Sequence, residues 1–174
     1  MRWFILACLW PAAAFAQDFG APPMPGTDEV HACILEQVAL GPNALVSRAA
    51  RDCIGRSVAF CEGDTVVCAA AEQAYWEWRI ARTYYGLQAW VADSDDVAAS
   101  VQQSVANPRT ATANVPLECQ LRAAGGQGGE AAPDTMATCM MRETALIALE
   151  LEFSVRQACL SASGGDFAAY CGRE

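Results

Sequence analysis

Residues Cys68–Val91 read CAAAEQAYWEWRIARTYYGLQAWV, a run with no proline, one glycine (Gly86) and a dense set of aromatics. At helical spacing Trp76, Ile80, Tyr84, Leu87 and Val91 share one narrow face, the pattern of an amphipathic helix packed on a core. Trp78, Arg82 and Tyr85 follow one another at i, i+4 and i+7, away from that stripe and beside Glu77 and Gln88. A helix with aromatics on two sides either lies between layers or presents one side to a partner. Tyr, Trp and Arg dominate binding hot spots, which makes Trp78, Arg82 and Tyr85 the candidate partner-binding residues. Cover for the first two helices is their competing role.

Upstream, Cys61–Cys68 (CEGDTVVC) reads as a disulfide-closed turn in which Asp64 or Thr65 caps the aromatic helix. A helix is expected from about Asn43 to Phe60, with Leu45, Ala49, Cys53 and Ile54 facing inward. Gly41-Pro42-Asn43 separates it from a first helix that starts at Thr27 or Asp28 and runs to about Leu40. Residues 17–27, rich in proline and glycine, form a flexible arm.

Downstream, Ser94 caps a short helix through Val97, Val101 and Val105, and 107–114 is a loop without period. Asn114-Val115-Pro116 opens another helix through Leu117, Cys119 and Leu121. Gly125 to Gly129 is a linker: no strand precedes it and no phosphate-loop lysine follows. The last long helix is expected over Thr135–Ser161. Met136, Met140, Ile147 and Leu151 lie on one face, and Leu146, Leu149, Phe153 and Leu160 on another, so it forms the central layer. No segment sustains strand alternation. The fold class is all-α: a disulfide-linked helical bundle with two long antiparallel helices and shorter flanking ones, as a single domain over 28–174.

MRWFILACLWPAAAFA (1–16) has one basic residue, a short apolar run and a small-x-small ending at Ala14-Phe15-Ala16. That is a secretory signal peptide cleaved after Ala16, and it is too short to span a membrane. A periplasmic or secreted protein is expected. Of nine cysteines, Cys8 leaves with the leader, and an even set in an exported chain implies disulfides. Eight cysteines allow 105 pairings, and the preferred set joins sequence neighbours: Cys33–Cys53, Cys61–Cys68, Cys119–Cys139 and Cys159–Cys171.

The net charge is −9, and every basic residue is arginine. Such a surface repels nucleic acid and anionic lipid, steers towards a basic partner, and keeps an exported protein soluble. Chemistry is poorly provided for. His31 is the only histidine, and beside Cys33 it reads as a helical neighbour of a disulfide rather than a dyad. No haem-attachment or zinc spacing occurs. Cys53, Cys61 and Cys68 are conceivable soft copper(I) ligands across a turn, and Met140-Met141 a weaker set, with disulfides and core packing preferred. Glu72 with Glu77 and Glu150 with Glu152 fit solvated helix faces better than a hydrolytic pair. A non-enzymatic protein without cofactor or metal is expected.

The same cysteines and aromatic helix resemble the LprI-like family of exported lysozyme inhibitors. Cys68, Trp76, Glu77, Tyr84 and Leu87 fall on that family's early motif. Cys119, the glycine cluster, Cys139, Thr144 and Leu149 match its later part, within about 52–152. The chain departs from the family where Ile80-Ala81 replaces Leu-Asn, and where NVPLEC (114–119) replaces a segment bearing Trp and Arg. The resemblance implies a divergent, all-helical binding protein whose partner is lysozyme or another basic exported protein. An envelope interaction module without inhibitory activity is the alternative.

Overall fold

In the computed structural model, which describes residues 26–92, 108–125 and 133–161, every regular element among the described residues is helical. Helix α1 spans Asp28–Ala39 and buries Val30, Cys33, Ile34 and Gln37, one face at helical spacing. Its acids Asp28 and Glu29 sit in the first turn, at the positive end of the helix dipole. The chain turns at Gly41, whose φ of 101° suits glycine, and Pro42 opens the next helix. That segment, α2 (42–52), joins an α turn Pro42–Ala44, a π-helical stretch Leu45–Ala49 and a further turn Ala50–Asp52.

The single helix expected through Phe60 is interrupted. Gly55 takes a left-handed φ of 85°, and α3 (Arg56–Ala59) starts anew after it. The cause lies in a distant carboxylate. Glu72 accepts the amides of Gly55 (2.6 Å) and Ser57 (2.8 Å), so a side chain satisfies them instead of a continuing helix.

Helix α4 spans Thr65–Ala92. Asp64 caps it: the Val66 amide donates to Asp64 Oδ1 at 2.8 Å, and the Cys68 amide donates to the Asp64 carbonyl at 3.0 Å. A short helix α5 (Pro108–Ala111) occupies part of the stretch expected as a loop, since Pro108 is well placed to open a helical turn. Helix α6 is Val115–Gly125 and α7 is Pro133–Ser161. The expected leader, the expected arm up to residue 25, the helix expected over 94–105, the glycines from 126 and the tail after Ser161 lie outside the described residues.

Helices α4 and α7 form the principal packed pair. Tyr75, Trp76 and Ile80 of α4 meet Met141, Ala145, Ala148 and Leu149 of α7, with Val30, Ile34, Leu45 and Ala49 closing the core. Among the described residues the buried positions of α7 are Met141, Thr144, Ala145, Ala148, Leu149, Glu152 and Val155. Of the two apolar faces expected, Leu149 is buried, Ile147 and Leu151 pack against the core from half-buried positions, Met136, Met140, Leu146 and Phe153 are half-buried, and Leu160 is exposed. Ala145 and Ala148 admit close helix approach beside the larger Met141 and Leu149.

The relative sense of the two long helices also differs from expectation. Gly55 is bound by Glu72, and the Cε of Met141 lies 4.0 Å from where its Cβ would be, which sets residues 72 and 141 at one level. Arg79 pairs with Glu152 further along both helices. Numbering rises in the same direction on each, so α4 and α7 run parallel, not antiparallel. A parallel pair needs a long return, and the stretch 93–132 supplies one.

Disulfides brace this arrangement. Cys33–Cys53 ties α1 to the end of α2, with Cα atoms 5.6 Å apart. Cys61–Cys68 closes the turn before α4 (6.3 Å), and Cys119–Cys139 joins α6 to α7 (5.8 Å). The exposed Arg122–Glu143 ion pair lies on the same α6–α7 junction. In the chain-entropy model the two bridges spanning 20 residues contribute about 3 kcal/mol each, and the bridge spanning 7 about 2 kcal/mol. The expected partner of Cys159, Cys171, lies outside the described residues. None of the described helices is long and apolar enough to cross a membrane.

Candidate functional site

Two faces of α4 carry the chemistry of this molecule. The inward one buries the expected apolar residues Trp76, Ile80 and Leu87 and, beside them, an ionic row that the apolar stripe does not announce. Arg79 and Glu152, 6% and 7% exposed, form a bidentate pair: Nε donates to Oε1 at 2.6 Å and Nη2 to Oε2 at 2.7 Å. Arg79 Nη1 also donates to the Tyr75 hydroxyl at 2.8 Å, and His31 Nδ1 lies 3.2 Å from that same oxygen. The chain His31–Tyr75–Arg79–Glu152 thus runs from a half-buried position on α1, through α4, to α7.

The electrostatics follow from this geometry. Burial lowers the pKa of His31, and the nearby Arg79 and Arg82 charges lower it further, with Asp28 and Glu152 opposing. Burial raises the Tyr75 hydroxyl above its ordinary value, against the pull of Arg79. For Arg79, burial alone acts downward, but the Glu152 carboxylate and the Tyr75 oxygen more than reverse it, and the group is held above its ordinary range. The guanidinium is a fixed charge.

These contacts also use up the carboxylates. Glu152 has both oxygens on Arg79, and Glu72 has both on backbone amides, with Trp76 Nε1 donating to its Oε1 at 3.2 Å. Glu77 is exposed and accepts from Gln73 Nε2 at 2.8 Å, while Glu150 is exposed on α7. Each expected pair is therefore split between a buried structural acid and a solvated one. The sulfurs of Cys53, Cys61 and Cys68 are bonded to other sulfurs, which leaves no thiolate there to hold copper. Among the described residues no cluster of three His, Cys, Asp or Glu is arranged to hold a metal ion.

The outward face holds the candidate partner-binding residues. Trp78 is half-buried and leans on the core, its ring centroid 5.9 Å from that of Tyr75. Exposed Arg82 lays its guanidinium carbon 5.6 Å from the Trp78 ring centroid. Tyr85, one turn on, is 47% exposed and meets Tyr84 edge-to-face at 5.6 Å. The strip combines one anchored aromatic, one stacked cation and one open aromatic.

Of the residues read as a family motif, Cys68 is in its disulfide, and Trp76, Leu87, Thr144 and Leu149 are buried. Glu77 is exposed and Tyr84 half-buried. The residues that sequence reasoning passed over as core members are Glu72, Arg79 and Glu152. A signal existed: Glu72 lies one turn before Trp76, and Arg79 three residues after it, so both border the apolar stripe. Comparison with protein-family models, with curated proteins and with solved structures gave no match.

Proposed function

We propose that this chain is an exported binding protein that acts by contact rather than by catalysis, with lysozyme as its partner. The observation that carries the reading is the Trp78–Arg82–Tyr85 strip, an exposed arginine and tyrosine on a helix fixed from behind by the Arg79–Glu152 pair. Rigid aromatic and arginine side chains are the usual anchors of protein interfaces, and a helix locked on its inner face presents them at low entropic cost.

Three further features support it. Disulfides suit an oxidising, extracytoplasmic compartment, in line with the leader at 1–16. A net charge of −9 steers towards basic proteins such as lysozymes. The motif residues resemble LprI-like inhibitors, although Val115 and Cys119 of the divergent 114–119 segment are buried, leaving Pro116, Leu117 and Glu118 as its exposed residues on α6. Binding of the mature protein to lysozyme by calorimetry tests the reading. Tyr85→Ala is expected to weaken binding by about 2 kcal/mol, roughly 30-fold in Kd. An affinity that Tyr85→Ala leaves unchanged removes the strip from the interface.

A further inference from the structure

The three bridges among the described residues do not sit alike. Cys33 and Cys53 belong to the hydrophobic core, and Cys119 is buried under α6. Cys61 and Cys68 are both half-exposed, and each follows an exposed apolar side chain: Phe60 (65%) and Val67 (64%). Glu62, Gly63, Asp64 and Thr65 between them are exposed as well, so the whole loop faces water.

We infer that Cys61–Cys68 is a thiol–disulfide exchange site, open to a dithiol protein while the chain stays folded. The chemistry is balanced as follows. A thiolate of the partner attacks Cys61 Sγ, the Cys61–Cys68 bond breaks, and its electron pair leaves on Cys68 Sγ. The partner's second thiol, its proton released to solvent, attacks the mixed disulfide and expels Cys61 as thiolate. The partner departs as a disulfide, and this chain has gained two electrons and takes up protons on its sulfurs.

Both leaving sulfurs are received. Cys68 lies in the first turn of α4, whose amide end stabilises negative charge, and the Gly63 amide donates to Cys61 Sγ at 3.4 Å. The acids Glu62 and Asp64 oppose this, although Asp64 Oδ1 is engaged by the Val66 amide. Opening the bridge spares the fold for two reasons. Asp64 still caps α4, and Glu72 still holds α3 to α4 through Gly55 and Ser57. Phe60 and Val67 give a protein dithiol apolar surface to rest on that a small thiol does not use.

The test is graded reduction of the folded, oxidised full chain with dithiothreitol, trapping with iodoacetamide and peptide mass mapping. Cys61 and Cys68 are expected to be labelled about tenfold faster than Cys33, Cys53, Cys119 and Cys139. Equal rates, or Cys33–Cys53 opening first, would overturn the inference. With thioredoxin as the protein dithiol, a Phe60→Ser/Val67→Ser variant should react several-fold more slowly, its dithiothreitol rate unchanged. A parallel loss with both reductants refutes recognition through the apolar pair. Cys61→Ser/Cys68→Ser should keep its helical circular dichroism and cooperative melting, and a molten variant would also overturn the inference.

Discussion

Replacing Glu152 with Gln strands a buried guanidinium. Arg79 is 6% exposed and gives two of its donors to Glu152 at 2.6 and 2.7 Å, so the substitution keeps the shape and removes the compensating charge. Breaking one partner of a buried pair costs about 3–5 kcal/mol, because the remaining charge is left without water or counterion. For a chain of this size that lowers Tm by on the order of 10 °C. Urea unfolding followed by circular dichroism, with disulfides intact, reads the effect. Arg79→Met/Glu152→Leu removes both charges, and it is expected to recover most of the loss, since apolar residues of similar volume replace buried pairs at little cost. The Tyr75 hydroxyl then keeps only His31 as a partner, so recovery is incomplete. A loss below about 1 kcal/mol for Glu152→Gln would mean that water reaches Arg79 and that the pair is not a buried lock.

Glu72→Ala should cost about 2–4 kcal/mol in the same assay, because the amides of Gly55 and Ser57 and the Trp76 indole lose their acceptor together. Glu72→Gln keeps one acceptor oxygen and should cost less than Ala, and no loss at all in Glu72→Gln would deny the carboxylate its double-acceptor role. His31 has a folded pKa below its ordinary 6.5, so the unfolded chain binds the proton more readily. Its contribution is therefore full above about pH 6.5 and is lost as pH falls through the lower folded value. Stability should decline from pH 7 towards 5, and His31→Gln should flatten part of that slope; an unchanged slope contradicts the assignment. Leu149→Ala, at a fully packed position between α4 and α7, should cost about 2–5 kcal/mol in urea unfolding.

Much of this fold is legible in residue pattern. The spacing of Trp76, Ile80 and Leu87 placed α4 and its buried side, and Asp64 marked its start. The break at Gly55 is another matter, because it depends on Glu72 arriving from a different helix. No local propensity encodes that meeting. The buried side of α7 is legible in part: bulk marks Leu149, which is buried, and Ile147 and Leu151, which pack on the core from half-buried positions, whereas nothing in their size marks Ala145 and Ala148, which are buried outright. The parallel sense of α4 and α7 is set by tertiary contacts on both sides of the long return, which neither helix records. In the site, Arg82 and Trp78 come together as a stacked pair at i, i+4, as the wheel suggests. The buried Arg79–Glu152 link spans distant helices, and only its border position on the stripe hinted at it.

The most direct test of the account is a lysozyme turbidity assay with the purified mature protein at low and moderate salt. The account predicts inhibition that weakens as salt rises, with Arg82→Ala and Tyr85→Ala each losing it while keeping wild-type melting. Undiminished muramidase activity at micromolar protein, with the wild type folded, would contradict lysozyme as the partner.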